Sequence, residues 1–278
     1  MSELSTILAA FLYLAGTAGY TIYFWRQREI AADVSAWLML AGLVFQTAGL
    51  VSAWVSLGHV PAVTFKQSLG LMAWSLTAGF LAVQIKVRIK ILGSFVAPLA
   101  LFLMILAWTQ PGGGGSGSLS AFASVWLAIH VVSAFLGDGM LALTAIAGVM
   151  YLLQEKQIRS KRPGWVYSRL PSLTTLDNLN WIFLMVGFPL LTLGMLSGAV
   201  FGQFLSGSYW NWAPKETWSL ITWLVYAVII HQRLTVGWRG RKAAWLSIAG
   251  FGIVLFTFLG ASFLFDDYHN FSTYGQPR

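Results

Sequence analysis

Cysteine is absent from the 278 residues. That excludes structural disulfides, thiolate metal centres and thiol catalysis by the chain itself. Charge is scarce as well: Asp, Glu, Lys and Arg together make up 9% of the sequence, against roughly 25% in a soluble domain. So few charges cannot cover a water-facing surface. The apolar residues, 57% of the chain at a mean hydropathy of +0.71, must therefore meet membrane lipid. The start, Met1-Ser2-Glu3-Leu4, has no basic n-region and no small-residue cleavage site, and reads as the beginning of a retained helix. The net charge of +8 does not indicate nucleic acid, because the basic residues sit in short loops between apolar segments and form no stripe interleaved with aromatics.

What is present is a series of long apolar runs. A helix needs about 20 mostly apolar residues to span a bilayer. Eight segments qualify, near 4–25, 34–57, 67–85, 91–109, 121–153, 180–205, 216–231 and 243–264. The backbone must satisfy its own hydrogen bonds in hydrocarbon, and the alternation of a barrel is missing. The expected fold is an all-α integral membrane protein, an eight-helix transmembrane bundle forming a single membrane domain over 1–278. The seventh segment is short unless its aromatic start lies in the interface, and the connection from Gln154 to Asn180 reads as a long basic loop.

Fourteen basic residues fall on one set of connections: Arg26 and Arg28; Lys86, Arg88 and Lys90; Lys156, Arg159, Lys161, Arg162 and Arg169; Arg233, Arg239, Arg241 and Lys242. The other set, with both termini, holds only Lys66, Lys215 and Arg278. By the positive-inside rule both termini are expected outside. Three outer loops follow: Gly58-His59-Val60-Pro61, the glycine- and serine-rich stretch from Pro111 to Ser120, and an aromatic loop from Ser206 to Glu216.

Histidine is a ready haem or metal ligand through its neutral imidazole, and only four occur: His59, His130, His231 and His269. The charge pattern puts His59, His130 and His269 outside and His231 inside. The aromatic loop reads Ser208-Tyr209-Trp210-Asn211-Trp212-Ala213-Pro214-Lys215-Glu216-Thr217-Trp218. Interfacial tryptophan is common, but an aromatic belt does not require Pro-Lys-Glu at a helix start. Pro214 suits the first turn, Glu216 suits the positive helix N-terminus, and flat indoles can stack on a flat aromatic ligand.

The run 208–223, which carries this loop on to Trp223, resembles the tryptophan-rich signature of the haem-handling cytochrome c assembly family, and within it the CcsA/ResC branch of the system II cytochrome c synthase. Leu170-Pro171-Ser172-Leu173, Leu176-Asp177 and Gly187 to Gly194 extend the resemblance, which covers roughly 125–270. It implies haem b, held transiently as substrate, with His130 and His269 as outer axial ligands of the iron. It also implies an inner-leaflet haem site at His231 and a haem platform built from Trp210, Trp212, Trp218, Trp223 and Glu216. No catalytic residue is singled out. The chain would be part of a cytochrome c synthase (haem lyase) complex in the bacterial cytoplasmic (inner) membrane, its functional face periplasmic. A ResB/CcsB-type membrane partner subunit and apocytochrome c would be its partners. The absence of cysteine would then keep foreign thiols away from the haem vinyl groups.

The chain departs from the family at Ala213, where aspartate is usual, and at Ser206, where tryptophan is frequent. Asn211 or the loop backbone is expected to replace the missing helix cap. Arg233 is a candidate partner for the haem propionates, and Asp138, eight residues from His130 and about 12 Å deeper, is a functional suspect as an intramembrane charge. His59 matches no family ligand. Two rival readings stay open: a regulatory protein of the haem pathway with the same fold, and a small-molecule transporter.

Overall fold

The structure, a computed structural model, describes residues 2–110, 121–160 and 164–260. The glycine-rich stretch 111–120 and His269 lie outside the described residues. Among the described residues every regular element is helical. In chain order the helices are α1 (Ser2–Arg26), α2 (Glu29–Leu57), α3 (Phe65–Val87), α4 (Gly93–Thr109), α5 (Ala121–Arg159), α6 (Leu173–Ser206), α7 (Pro214–His231) and α8 (Arg241–Leu255). Each segment is long and apolar enough to cross a membrane, and the expected eight-helix bundle is what forms. The seventh reaches 23 residues, Pro214–Val236. It starts inside the aromatic loop and continues past His231 through a wider π turn, Gln232–Val236.

The helices run further than the apolar segments do. Residues 154–159 extend α5, and α6 begins at Leu173 rather than Asn180, so the basic connection is much shorter than expected. Polar helix ends form here because Ser172 caps α6, its Oγ accepting from the Thr175 amide at 3.2 Å. Gln154 Nε2 donates to the Tyr167 carbonyl at 3.2 Å and ties the connection down.

Lipid tails are as apolar as leucine, so helices in a bilayer associate through close packing and hydrogen bonds. α5 shows this best, because it turns a different glycine to each of three neighbours. A Cβ on Gly137 would lie 2.8 Å from the Leu191 amide of α6, one on Gly139 would lie 2.9 Å from the Ser75 backbone of α3, and one on Gly148 would lie 2.9 Å from the Ala244 carbonyl of α8. Helices α5 to α8 enclose a common core of Leu141, Leu184, Leu191, Tyr226, Ile229 and Val254. Helices α1 to α4 pack around Gln46, which accepts from Tyr13 Oη at 2.7 Å and donates to the Gly70 carbonyl at 2.8 Å. In the other half Asn180 donates to the Thr144 carbonyl at 2.9 Å and to Ser247 Oγ at 2.8 Å, joining α5, α6 and α8.

Backbone-to-backbone contact at Gly137 leaves nothing soft to yield. Gly137→Ala is expected to destabilise the detergent-solubilised protein by about 1–3 kcal/mol, the usual cost of overpacking. Gly252→Ala, with open space at that position, is expected to be near neutral. Thermal or denaturant unfolding measures both.

Candidate functional site

Three glycines of α6, Gly194, Gly198 and Gly202, stand at successive four-residue steps and so share one face. His130 of α5 lies on this face: its Nδ1 is 2.7 Å from the Gly194 carbonyl, and a Cβ on Gly198 would lie 2.6 Å from the same nitrogen. One turn further, a Cβ on Gly202 would lie 3.3 Å from the Ser208 carbonyl. The imidazole and the aromatic loop therefore rest on the same groove, about 6 Å apart along the helix. The sequence reading named Gly194 only within the resemblance and missed Gly198 and Gly202, although Gly194-x-x-x-Gly198 is a readable close-packing signal.

The loop begins where Gly207 ends α6 with a φ of 72°, a left-handed cap that glycine adopts without strain. From there it is laced internally. Glu216 Oε2 accepts from the Asn211 amide at 2.8 Å and from the Ala213 amide at 3.4 Å. Asn211 Nδ2 donates to Ser206 Oγ at 2.8 Å, and Thr217 Oγ1 donates to the Trp212 carbonyl at 3.3 Å. Trp212 takes a φ of 55°, a region costly for a bulky side chain, by about 1–3 kcal/mol.

Asn211, one of the expected substitutes for the missing aspartate cap, does not act as one. The Asn211 side chain turns to Ser206 instead of the first turn of α7. Glu216 supplies one half of a capping box, and an alanine side chain has no acceptor for the other half. The contrast is α3, where Thr64 Oγ1 accepts from the Gln67 amide and Gln67 Oε1 accepts from the Thr64 amide, at 3.2 and 3.1 Å. Ser206, the second departure, is the anchor of Asn211.

The four tryptophans separate into pairs. Trp210 and Trp212 meet edge to face in the loop, their centroids 6.0 Å apart, and Trp212 is 71% exposed. The Trp210 indole nitrogen is buried without a partner among the described residues. Trp218 packs edge-on against Phe256, in the π turn that follows α8, at 4.4 Å. Trp223 turns the other way, stacking on Phe188 at 5.4 Å and donating to Thr192 Oγ1 at 2.9 Å, both on α6. It fastens α7 to α6 inside the bundle.

His231 closes α7 at the opposite, basic end and is exposed. Fifteen residues separate it from Glu216, roughly 22 Å along a helix. Arg233, two residues on, faces inward at 8% exposure. Its guanidinium forms a two-pronged pair with Asp177, Nη1 to Oδ1 at 3.0 Å and Nη2 to Oδ2 at 2.8 Å, and lies 5.0 Å over the Trp181 ring. Asp177 Oδ1 also accepts from the Gly240 amide at 2.7 Å. The expectation that Arg233 serves haem propionates therefore fails: it is committed to Asp177, on the side of the helix away from His231.

Asp138 is partly buried on α5, and among the described residues no hydrogen bond reaches its carboxylate. His59 is buried in its loop, with Nδ1 3.0 Å from the Val60 carbonyl. Val60 packs with Leu71, Ala128 and Val131, so this histidine is built into the junction of α3 and α5.

With this geometry in place, comparison with known proteins is informative. The sequence pattern of the family described as cytochrome C assembly protein matches residues 62–269. The chain is 31% identical to the cytochrome c biogenesis protein CcsA of Guillardia theta, over 80% of each chain. It is 34% identical to the CcsA of Prochlorococcus marinus (strain MIT 9301), over 81% of this chain and 80% of that one. The CcsA of Gloeobacter violaceus is 28% identical and is matched over 95% of this chain and 92% of its own. Among solved structures, the cytochrome c heme lyase CcmF superposes with a TM-score of 0.66 at 17% identity, a likeness of fold. The alignment covers 93% of this chain and 46% of that structure, so the present chain spans about half of it.

The half-made cap of α7 is directly testable. Ala213→Asp is expected to stabilise the solubilised protein by about 1 kcal/mol, the usual worth of an N-cap, read as a shift in thermal unfolding. Glu216→Gln, which weakens the clamp on the two loop amides, is expected to move stability the other way.

Proposed function

The chain belongs to the cytochrome c assembly protein family, and from that premise we propose that it holds haem as a substrate at the loop end of the bundle and presents it to apocytochrome c. Membership itself places the chain in cytochrome c maturation. The observation that carries the finer reading is that His130 and the tryptophan-rich loop share one glycine face of α6. A ligand for iron and the exposed Trp212 ring with its half-buried neighbour Trp210 would then lie on one face for the macrocycle, and His269 would complete the outer ligand pair.

The charge asymmetry supports an orientation with the basic end in the cytoplasm and the platform and both termini outside. His231 would hold haem near the inner leaflet, with the rigid length of α7 linking that site to the platform. A ResB/CcsB-type subunit is the proposed membrane partner. Bound haem would offer two vinyl groups. At each, a cysteine thiol of an apocytochrome Cys-x-x-Cys-His segment adds its sulfur to one carbon and its hydrogen to the other, so no oxidant is consumed. The protein's contribution is proximity and orientation: the histidines fix the iron and the indoles fix the plane of the ring. The departures at Ser206 and Ala213 leave the loop fastened through Asn211 and Glu216, which favours presentation over a regulatory role.

Substitution of the three histidines tests this reading. His130→Ala and His269→Ala are expected to retain haem with an altered spin state and to form little thioether product. His231→Ala is expected to lower the amount of haem acquired. Added imidazole is expected to restore low-spin spectra in part. A colourless wild-type protein, or equal loss of haem in all three variants with no response to imidazole, would overturn the two-site account.

A further inference from the structure

The hydrogen bond from His130 to α6 carries information beyond position. A carbonyl oxygen only accepts, so at 2.7 Å from the Gly194 oxygen the Nδ1 atom must carry the hydrogen, and in the neutral ring Nε2 carries the lone pair. The ring is held in this pose by what α6 lacks. A Cβ on Gly198 would lie 2.6 Å from Nδ1 and 2.7 Å from Cε1, so any side chain there must push the imidazole off the carbonyl. The same carbonyl has a second suitor. Ser197 Oγ lies 3.1 Å from it and 2.6 Å from the Leu193 carbonyl, and so shares the Gly194 oxygen with His130.

We infer that Gly194, Ser197 and Gly198 are positioning residues for the haem iron, acting through His130: Gly198 makes room for the ring, the Gly194 carbonyl fixes the tautomer that leaves the lone pair on Nε2, and Ser197 moderates how strongly that carbonyl draws on the Nδ1 hydrogen. The inference rests on the reading of His130 as an iron ligand. A hydrogen bond accepted from the non-ligating nitrogen raises the basicity of a ligating imidazole, and second-shell hydrogen bonding of this kind is one of the means by which a protein sets a haem potential. A more basic imidazole favours ferric over ferrous iron and lowers the potential. Ser197 weakens that effect by occupying the same oxygen. Removing its hydroxyl therefore strengthens the bond to His130, while adding a methyl group at Gly198 breaks it. The two substitutions act in opposite directions through one atom, which a merely structural role would not produce.

The test has a stage without haem and a stage with it. In the haem-free full chain labelled with 15N-histidine, NMR is expected to show the Nδ1–H tautomer for His130, assigned by its disappearance in His130→Ala. Gly198→Ala is expected to convert that signal to a tautomer mixture. In the haem-loaded protein, Ser197→Ala is expected to shift the midpoint potential downward with the low-spin spectrum kept. Gly198→Ala is expected to lose most of the low-spin Soret band, recoverable with added imidazole, and Gly252→Ala to change neither. Ser197→Ala deletes one hydroxyl and adds nothing, so it remains informative if Gly198→Ala fails to fold. An Nε2–H tautomer in the wild type, or a potential unmoved or raised by Ser197→Ala, overturns the inference. If His130→Ala itself leaves the haem spectrum unchanged, it is the assignment of His130 as ligand that fails, whatever its tautomer.

Discussion

The close approach of other groups to the bare backbone of α6 determines the geometry of the whole platform end. At Gly194 and Gly198 the helix surface is low enough for an imidazole to reach a main-chain carbonyl, and at Gly202 it is low enough for the loop to lie against it. Both parts of the site are thereby referenced to one rigid element rather than to each other. α5 makes the matching concession at Gly137, whose contact with Leu191 sets the separation of the two helices. In water such contacts would be a minor addition to hydrophobic burial. In lipid, where helices gain little from hiding apolar surface from one another, packing at van der Waals distance and the hydrogen bonds it permits are the main source of specificity.

α7 carries the geometry from one end of the bundle to the other because it is fixed at three levels. The Glu216 carboxylate gathers the loop at its start, the Trp223 indole bonds to Thr192 midway, and Arg233 locks onto Asp177 beyond its end. The last of these has every prong used: both carboxylate oxygens accept, and Gly240 contributes a further donor. A buried ion pair compensates its desolvation only when its hydrogen bonds are this complete. Pinning the π turn inward leaves His231, two residues earlier, on the outside of the bundle. The same turn that commits the arginine exposes the histidine.

The spans were legible in the sequence because a bilayer leaves the chain little choice: twenty apolar residues must be helical, and lipid-exposed backbone cannot be left unpaired. The histidines and the aromatic loop were legible because their chemistry is distinctive. Other features depended on geometry that residue type alone does not specify. Arg233 looked available because nothing local announces that a π turn will aim it at Asp177, 56 positions away. Asn211 looked like a substitute cap because Ser206, its actual partner, lies across a left-handed turn. The division of the tryptophans was within reach. Five residues separate Trp218 from Trp223, which at 100° per residue places them about 140° apart on α7, so they could not line the same face. Grouping all four by type obscured that.

Within four consecutive residues of the platform loop Trp210 buries an indole N–H without a partner among the described residues, Trp212 holds a left-handed backbone, and Ala213 leaves the first turn of α7 without a side-chain cap. Other buried polar atoms without a partner among the described residues include Gln154 Oε1 and Arg169 Nε at the basic connection and Asn180 Oδ1 and Tyr226 Oη in the bundle. At the basic end Arg233 and the Gly240 amide both donate to Asp177, while Gln27 and Arg88 hold left-handed backbone there as well. Strain and unmet hydrogen bonds persist only where the surroundings enforce them. The enforcing parts here are identifiable: Gly207 turns the chain out of α6, Glu216 holds the loop closed, and the glycine face fixes it from below. On the proposed haem-holding reading, the Trp210 indole N–H, without a partner among the described residues, and the exposed Trp212 ring would be offered to the ligand by a loop that is already fastened.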